Sequence, residues 1–354
     1  MAKLVEKTVK IDGIEIGKGN DCFIIAEMGL SHDGSLGAAY AFIEAAAKTG
    51  VQAVKFQTHI ASAESTKEEK FRVKIFPQDK TRKDYWERTA FSKDQWKELK
   101  EYTEKNKMTF LSSPFSLEAA ELLYEIGIKG WKIGSGELNN LPFLIELTKF
   151  KLPFLLSTGM AYDEEIEKAV SVITEKKGEL VLLQCTNCYP CPPEKWGLNL
   201  ISEYKKKYHV PVGFSDHSGT IYAGLAAHSL GANVLEVHVT FHKSCFGPDV
   251  SSSLTFEELA ELVKGTKYLS KALASPVEKN KEADSLKEMR QLFTKSIVAK
   301  KDLKADEVLT FNNIDFKKPV IGVPANRYKE VIGKRILKNL KKDDFIMESM
   351  VSEI

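Results

Sequence analysis

Short apolar runs recur along the chain, each followed by a longer segment of mixed polarity. The runs fall at 22–26, 51–56, 108–111, 131–133, 153–156, 180–183, 211–214 and 233–239. Bounded apolar stretches of this length read as buried strands. The segments between them carry helix signals. Ser92 and Gln95 form a capping box ahead of Trp96, Leu99 and Tyr102, and Thr255 with Glu258 does the same ahead of Leu259 and Leu262. Ile166, Ala169, Val170 and Ile173 recur at helical spacing. A turn signal at Asp12-Gly13 predicts a hairpin before the first run. Eight strand-helix repeats predict an α/β fold, a (β/α)8 TIM barrel.

A doubly wound open sheet gives the same alternation, so the strand ends decide. Nearly every run contains or finishes in a polar residue: Glu27, Lys55 with Gln57, Ser112 with Ser113, Ser135, Ser157 with Thr158, Asn187, His217 and His238. In a barrel these ends converge on one mouth, where such enzymes carry their chemistry. No Gly-rich dinucleotide fingerprint follows the first strand. Two regions break the rhythm. Residues 62–88 form a charged excursion with Phe71, Phe76, Tyr85 and Trp86 scattered through it, long enough to cover the mouth. From about Asp284 the pattern changes to short strand-like pieces at 296–299, 308–310, 331–332 and 345–347. The expected domains are therefore a barrel at 1–283 and a small, mildly basic β-rich domain at 284–354.

The 51 basic and 49 acidic residues leave a net charge of +2, so no global field argues for nucleic acid or an anionic membrane. No apolar run approaches the length of a membrane span, residues 1–7 lack a secretory apolar core, and the cytoplasm is the expected location. Five cysteines fit a reducing compartment. Cys185, Cys188 and Cys191 have a metal-like spacing, but a fourth ligand is not near in sequence, and reduced thiols are the expected state.

The stretch 211–249 concentrates the candidate chemistry. Ser215, Asp216, His217 and Ser218 follow one strand; Glu236 and His238 lie two apart on the next, so they share a face. Imidazoles at two parallel strand ends suit Mn²⁺, Fe²⁺, Co²⁺ or Zn²⁺ with open positions for substrate, or else each satisfies a local polar network. Lys55 and Lys132 interrupt apolar runs, where an unpaired ammonium is costly. Either an anionic substrate meets them, with Ser113, Ser135, Ser157 and Ser215 as neutral donors, or internal carboxylates such as Glu27 or Glu137 do. Glu27 is equally suited to acid-base work or to neutralising a lysine.

Several ordered motifs together resemble the sialic acid synthase family, which condenses phosphoenolpyruvate with an N-acetylmannosamine-type sugar. They are Ile25-Ala-Glu-Met-Gly29, Val54-Lys-Phe-Gln-Thr58, Ser112-Ser-Pro-Phe115, Lys132-Ile-Gly-Ser-Gly-Glu137, Leu156-Ser-Thr-Gly-Met160, Cys185-Thr-Asn-Cys-Tyr-Pro190, Phe214-Ser-Asp-His217, Glu236-Val-His238 and Gly247-Pro-Asp249. The tail resembles the family's antifreeze-like (SAF) domain, through Ile297-Val-Ala-Lys-Lys-Asp-Leu303 and Gly333-Lys-Arg335. The resemblance implies phosphoenolpyruvate binding by Lys55, Ser113, Lys132, Ser135, Ser157, Asn187 and Ser215. It implies sugar binding by Gln57, Tyr189 and Asp249, a divalent metal on His217 and His238, and Glu27 at the reaction centre. Manganese is the usual ion, with magnesium or cobalt as substitutes. A domain-swapped homodimer is implied, with the tail of one subunit over the mouth of the other. Two departures stand out. Where the family has a basic pair ending in Arg before Pro-Gly, this chain has Lys317-Lys-Pro-Val320, and Lys318 and Arg327 are the candidate replacements. Ser113 stands where Thr is usual. The acceptor is expected to be N-acetylmannosamine or a related N-acyl hexosamine. A diacetamido-trideoxy hexose, giving a legionaminic- or pseudaminic-type acid, is the nearest rival. A metal-dependent aldolase or a noncatalytic sugar-binding protein stands further off.

Overall fold

A computed structural model of the chain describes residues 7–17, 19–73 and 76–352. Residues 1–6, part of the stretch read as lacking a secretory core, and residues 74–75 of the excursion lie outside the described residues. The hairpin forms from β1 (Val9–Ile11) and β2 (Ile14–Ile16). All the predicted strands follow: β3 (Phe23–Gly29), β4 (Ala53–Thr58), β5 (Thr109–Pro114), β6 (Trp131–Ile133), β7 (Phe154–Ser157), β8 (Leu180–Cys185), β9 (Val212–Asp216) and β10 (Val234–Thr240). They form one parallel sheet ordered β5-β4-β3-β10-β9-β8-β7-β6. β5 and β6 lie side by side without a ladder among the described residues, so the barrel is nearly closed.

Each strand is followed by a helix, and the capping boxes read from sequence are made. Ser92 Oγ accepts the Gln95 N–H while the Gln95 side chain accepts the Ser92 N–H, at the start of Lys93–Lys105. Thr255 and Glu258 do the same for Phe256–Leu273. The helix Asp163–Glu175 buries Ile166, Ala169, Val170 and Ile173, as its spacing predicts.

Strand side chains alternate between two cores. Outward residues such as Ile24, Val54, Phe110, Leu182 and Leu235 pack against the helices. Inward residues Ile25, Ala53, Leu111, Leu155, Leu183 and Val234 fill one end of the barrel, closed from below by Val9, Ile11 and Ile16 of the hairpin. This layer has no spare room: a Cβ at Gly213 would collide with Leu183 and Val234.

The chain divides into compact units at 1–274 and 275–354. The expected boundary at 284 falls inside Lys279–Ser285, the first of two short exposed helices grouped with the second unit; the other is Lys287–Phe293. That unit pairs Ser296–Ala299 antiparallel with Ile314–Lys317 around Ile297, Leu309, Ile314, Ile336 and Ile346. Three of its expected strand pieces differ. Val308 and Phe345 make isolated bridges with Arg335 and Val298, while Val331 and Ile332 donate to Tyr328 O in a helical turn. Apolar side chains spaced by tight turns bury themselves there without extended ladders. Among the described residues no helix is long and apolar enough to cross a membrane.

Candidate active site

Two residues beyond the apolar plug, the barrel interior turns polar. Ile25 is followed on the same face by Glu27, Ala53 by Lys55, Leu111 by Ser113, Leu155 by Ser157, Leu183 by Cys185, Gly213 by Ser215 and Val234 by Glu236. A period of two thus converts a hydrophobic floor into a polar layer within one strand residue pair. Above it opens a cavity of about 450 Å³, lined by every barrel residue expected at the reaction centre, the metal, phosphoenolpyruvate or the sugar. Asn187 and Ser135 meet over Gly159, where any side chain would strike both.

The layer is a buried quartet of charges. Lys55 Nζ lies 2.7 Å from Glu27 Oε2 and 3.8 Å from Glu236 Oε1, and Lys132 Nζ lies 3.3 Å from the same Glu236 oxygen. Hydroxyls complete the coordination: Lys55 donates to Ser113 Oγ (3.3 Å), Lys132 to Ser157 Oγ (3.0 Å), and Ser215 to Glu236 Oε1 (3.2 Å). Of the two readings left open for the lysines, internal carboxylates do meet them, with Glu236 rather than Glu137 beside Lys132. Glu137 accepts from Asn140 instead (2.9 Å). Burial opposes charge on Glu236, yet the ammonium groups of Lys132 and Lys55 pull its carboxyl down to about 2. Burial, joined by repulsion from Glu236, raises Glu27 despite Lys55. Burial lowers Lys132, whereas Lys55, beside two carboxylates, is held above its ordinary value although burial alone would lower it.

His217 and His238 come together at the ends of β9 and β10, their ring centroids 5.3 Å apart. His217 Nδ1 lies 2.9 Å from Thr186 O, which places its proton there and leaves the Nε2 lone pair bare. Burial, aided by His238, keeps the His217 ring neutral, its proton affinity pushed down to about 3. Glu236 Oε2 is buried with no hydrogen-bond partner among the described residues. A bare imidazole nitrogen beside a second imidazole gives two donors of the kind that suit a divalent ion with positions left open for substrate. Among the described residues no group of three or more His, Cys, Asp and Glu side chains is placed to hold a metal ion. The three spaced cysteines are separate free thiols: Cys185 contacts Ser135 and Asn187, Cys188 donates to Pro190 O, and Cys191 to Pro192 O.

The excursion is an ordered wall of the cavity, not only a loop over it. Thr81 and Asp84 cap a helix at Arg82–Thr89, and Phe76, Tyr85 and Trp86 bury one another beside Leu30. Arg72 reaches Asp249 (2.6 Å) and lies 4.2 Å over the Tyr189 ring, which stacks on His217 (centroids 4.0 Å). His59, past the end of β4, is sandwiched between Trp86 and Phe115. Sequence reading missed Arg72, His59 and the charge-bearing role of Glu236. Glu236 carried a signal in its spacing to His238; Arg72 sits in a stretch without periodicity and carried none.

Residues 42–278 match the NeuB family, and residues 294–352 match the SAF domain. Over 331 residues the chain is 38% identical to the N,N'-diacetyllegionaminic acid synthase of Campylobacter jejuni, covering 92% of this chain and 98% of that protein. It is 34% identical to human N-acetylneuraminate-9-phosphate synthase over 95% of this chain and 94% of the relative. The solved N-acetylneuraminic acid synthetase of Leptospira borgpetersenii, in complex with citrate, superposes with a TM-score of 0.70 at 32% identity, covering 81% of this chain and 98% of that one. A barrel with this polar layer, matched by its family over most of its length and continued by a SAF domain, makes the chain a member of the NeuB family.

Proposed function

We propose that the protein condenses phosphoenolpyruvate with an uncharged N-acyl hexosamine, giving a nonulosonic acid and inorganic phosphate. The observation that carries this reading is the buried pair Lys55 and Lys132 opening into the same cavity as His217 and His238. A phosphate and a carboxylate compete with Glu27 and Glu236 for the two ammonium groups, while Ser113, Ser135, Ser157, Ser215 and the Asn187 amide donate to the remaining oxygens. His217 and His238 would hold a divalent ion, manganese by preference, whose chemistry there is polarisation of the sugar aldehyde.

The protein's own groups do the rest. Gln57, Tyr189 and Asp249 hold the open-chain sugar with its aldehyde carbon facing C3 of phosphoenolpyruvate, which turns a meeting of two solutes into one of neighbours. The C3–C1 bond forms as the enol π-electrons leave C2, and the aldehyde oxygen becomes an alkoxide that takes up the water-derived proton passed on by Glu27. Glu27 receives a proton from water as that water adds to C2. The resulting centre collapses by C2–O cleavage: the C2 hydroxyl gives its proton to the departing phosphate, which leaves with the bridging oxygen, and the ketone remains. Burial raises the Glu27 carboxyl above its ordinary value, which favours its accepting a proton.

The cavity wall supports an uncharged acceptor. Three carboxylates, on Glu69, Glu137 and Asp249, stand there against two guanidiniums, on Arg72 and Arg82, while Glu64 is paired with His59, so a sugar phosphate meets net repulsion. Phosphate release should be measured from phosphoenolpyruvate with N-acetylmannosamine, its 6-phosphate and a diacetamido-trideoxy hexose, with and without chelator. Release with an uncharged sugar, abolished by chelator, supports the proposal; no release with any of them overturns it. Preference for the diacetamido sugar identifies a legionaminic- or pseudaminic-type synthase. Preference for the 6-phosphate overturns the charge argument alone.

A further inference from the structure

A hydrogen-bonded chain runs from the excursion to the reaction centre. His59 Nδ1 lies 2.6 Å from Glu64 Oε1, and His59 Nε2 lies 3.3 Å from Gln57 Oε1. Gln57 Nε2 donates to Glu27 Oε1 at 3.2 Å, and Glu27 Oε2 meets Lys55 at 2.7 Å. The imidazole that links the two halves is locked from both faces. Trp86 stacks on it at 3.7 Å and 8°, Phe115 at 4.3 Å and 11°, and only 6% of the residue is exposed. Arg82 covers the far face of this stack, 4.5 Å from the Trp86 ring, and the Trp86 indole N–H donates to Glu69.

The donors and acceptors allow one assignment. Glu27 accepts, so the Gln57 amide nitrogen must face it and the Gln57 oxygen must face His59. His59 Nε2 must therefore carry a proton, and one further proton lies between Nδ1 and Glu64. We propose that His59 is a positioning residue, fixing through its Nε2–H the amide orientation of Gln57 and thereby the carboxylate of Glu27. Without that bond the Gln57 amide is free to flip, presenting oxygen to Glu27 and to the acceptor alike. The Trp86 stack makes the excursion part of this device, since the ring that orients Gln57 is itself oriented by a residue of the excursion.

This inference rests on the proposed condensation, and its test separates the two. In the full-length enzyme with Mn²⁺ and phosphoenolpyruvate, His59→Gln retains an N–H near the position of Nε2, whereas His59→Asn retains only the group near Nδ1. The Asn variant is expected to lose about 30-fold in kcat, with the KM for phosphoenolpyruvate held within about threefold. The Gln variant is expected to stay within about threefold of wild type in kcat. Equal activity of the two variants, whether high or low, overturns the proposal, because an effect of ring packing alone does not distinguish them. Nitrogen-15 histidine spectra of the unmodified protein give a readout independent of turnover. A proton on His59 Nε2 supports the relay, and an unprotonated Nε2 overturns it. If the wild type releases no phosphate with any acceptor, the condensation reading fails, and the tautomer decides the relay by itself.

Discussion

Glu236 stands between two buried ammonium groups, and removing its charge leaves Lys132 without a carboxylate within reach and Lys55 with Glu27 alone. Breaking a buried pair in this way costs about 3–5 kcal/mol. Glu236→Gln is therefore expected to lower the unfolding free energy read from urea titration by that amount and to reduce phosphate release at least about 100-fold. Unchanged stability would mean that the lysines are not held by this carboxylate. A different buried group contributes to the loss of stability in acid. His32 is 1% exposed and stacks on Phe91; its Nδ1 accepts the Gly34 N–H, and its Nε2 has no hydrogen-bond partner among the described residues. Burial, aided by His59, pushes its proton affinity from 6.5 down to about 3. Between those values the unfolded chain binds a proton that the folded chain refuses, so stability present above pH 6.5 is lost as pH falls toward 3. His32→Asn keeps an acceptor for Gly34 and removes the titration. Its urea midpoint should fall less steeply than wild type between pH 6.5 and 4, and an identical slope would assign the acid loss elsewhere. At this scale the sequence was informative where polarity broke an apolar run, as at Lys55, Lys132 and Glu27. It was silent at His59, whose two stacking partners lie 27 and 56 residues away in sequence.

The barrel strands and their helices are legible because period two and period 3.6 leave different marks, and because Ser92 and Thr255 announce helix starts chemically. The excursion obeys neither period. Its order comes from long-range contacts: Trp86 on His59, Phe76 on Tyr85, and Arg72 on Tyr189 and Asp249. Its function is therefore tested through those contacts. Arg72 neutralises one of the three residues expected to hold the sugar, Asp249, and stacks on a second, Tyr189, so Arg72→Ala should raise the acceptor KM about tenfold and leave the KM for phosphoenolpyruvate unchanged. Equal rises in both would place Arg72 outside acceptor recognition. Arg72→Lys should not restore the wild-type value, because an ammonium lacks the planar face that lies over Tyr189. The tail was legible as a separate β-rich unit but not in detail, since turn-spaced apolar residues at 308–310 and 331–332 resemble strands without forming ladders.

Across the whole molecule, a near-neutral chain buries two lysines and two glutamates together in one layer of a barrel. In the second unit Arg327 is committed to Glu330 and Glu348, whereas Lys318 lies over the Phe293 ring with no carboxylate partner among the described residues. The central claim is that the lysine pair holds phosphoenolpyruvate for attack through C3, with phosphate lost by cleavage of the C2–O bond. Phosphoenolpyruvate carrying oxygen-18 at the bridging position tests it directly, by mass spectrometry of both products after turnover with the preferred acceptor. The label is expected in inorganic phosphate; label retained in the keto acid would rule out C2–O cleavage.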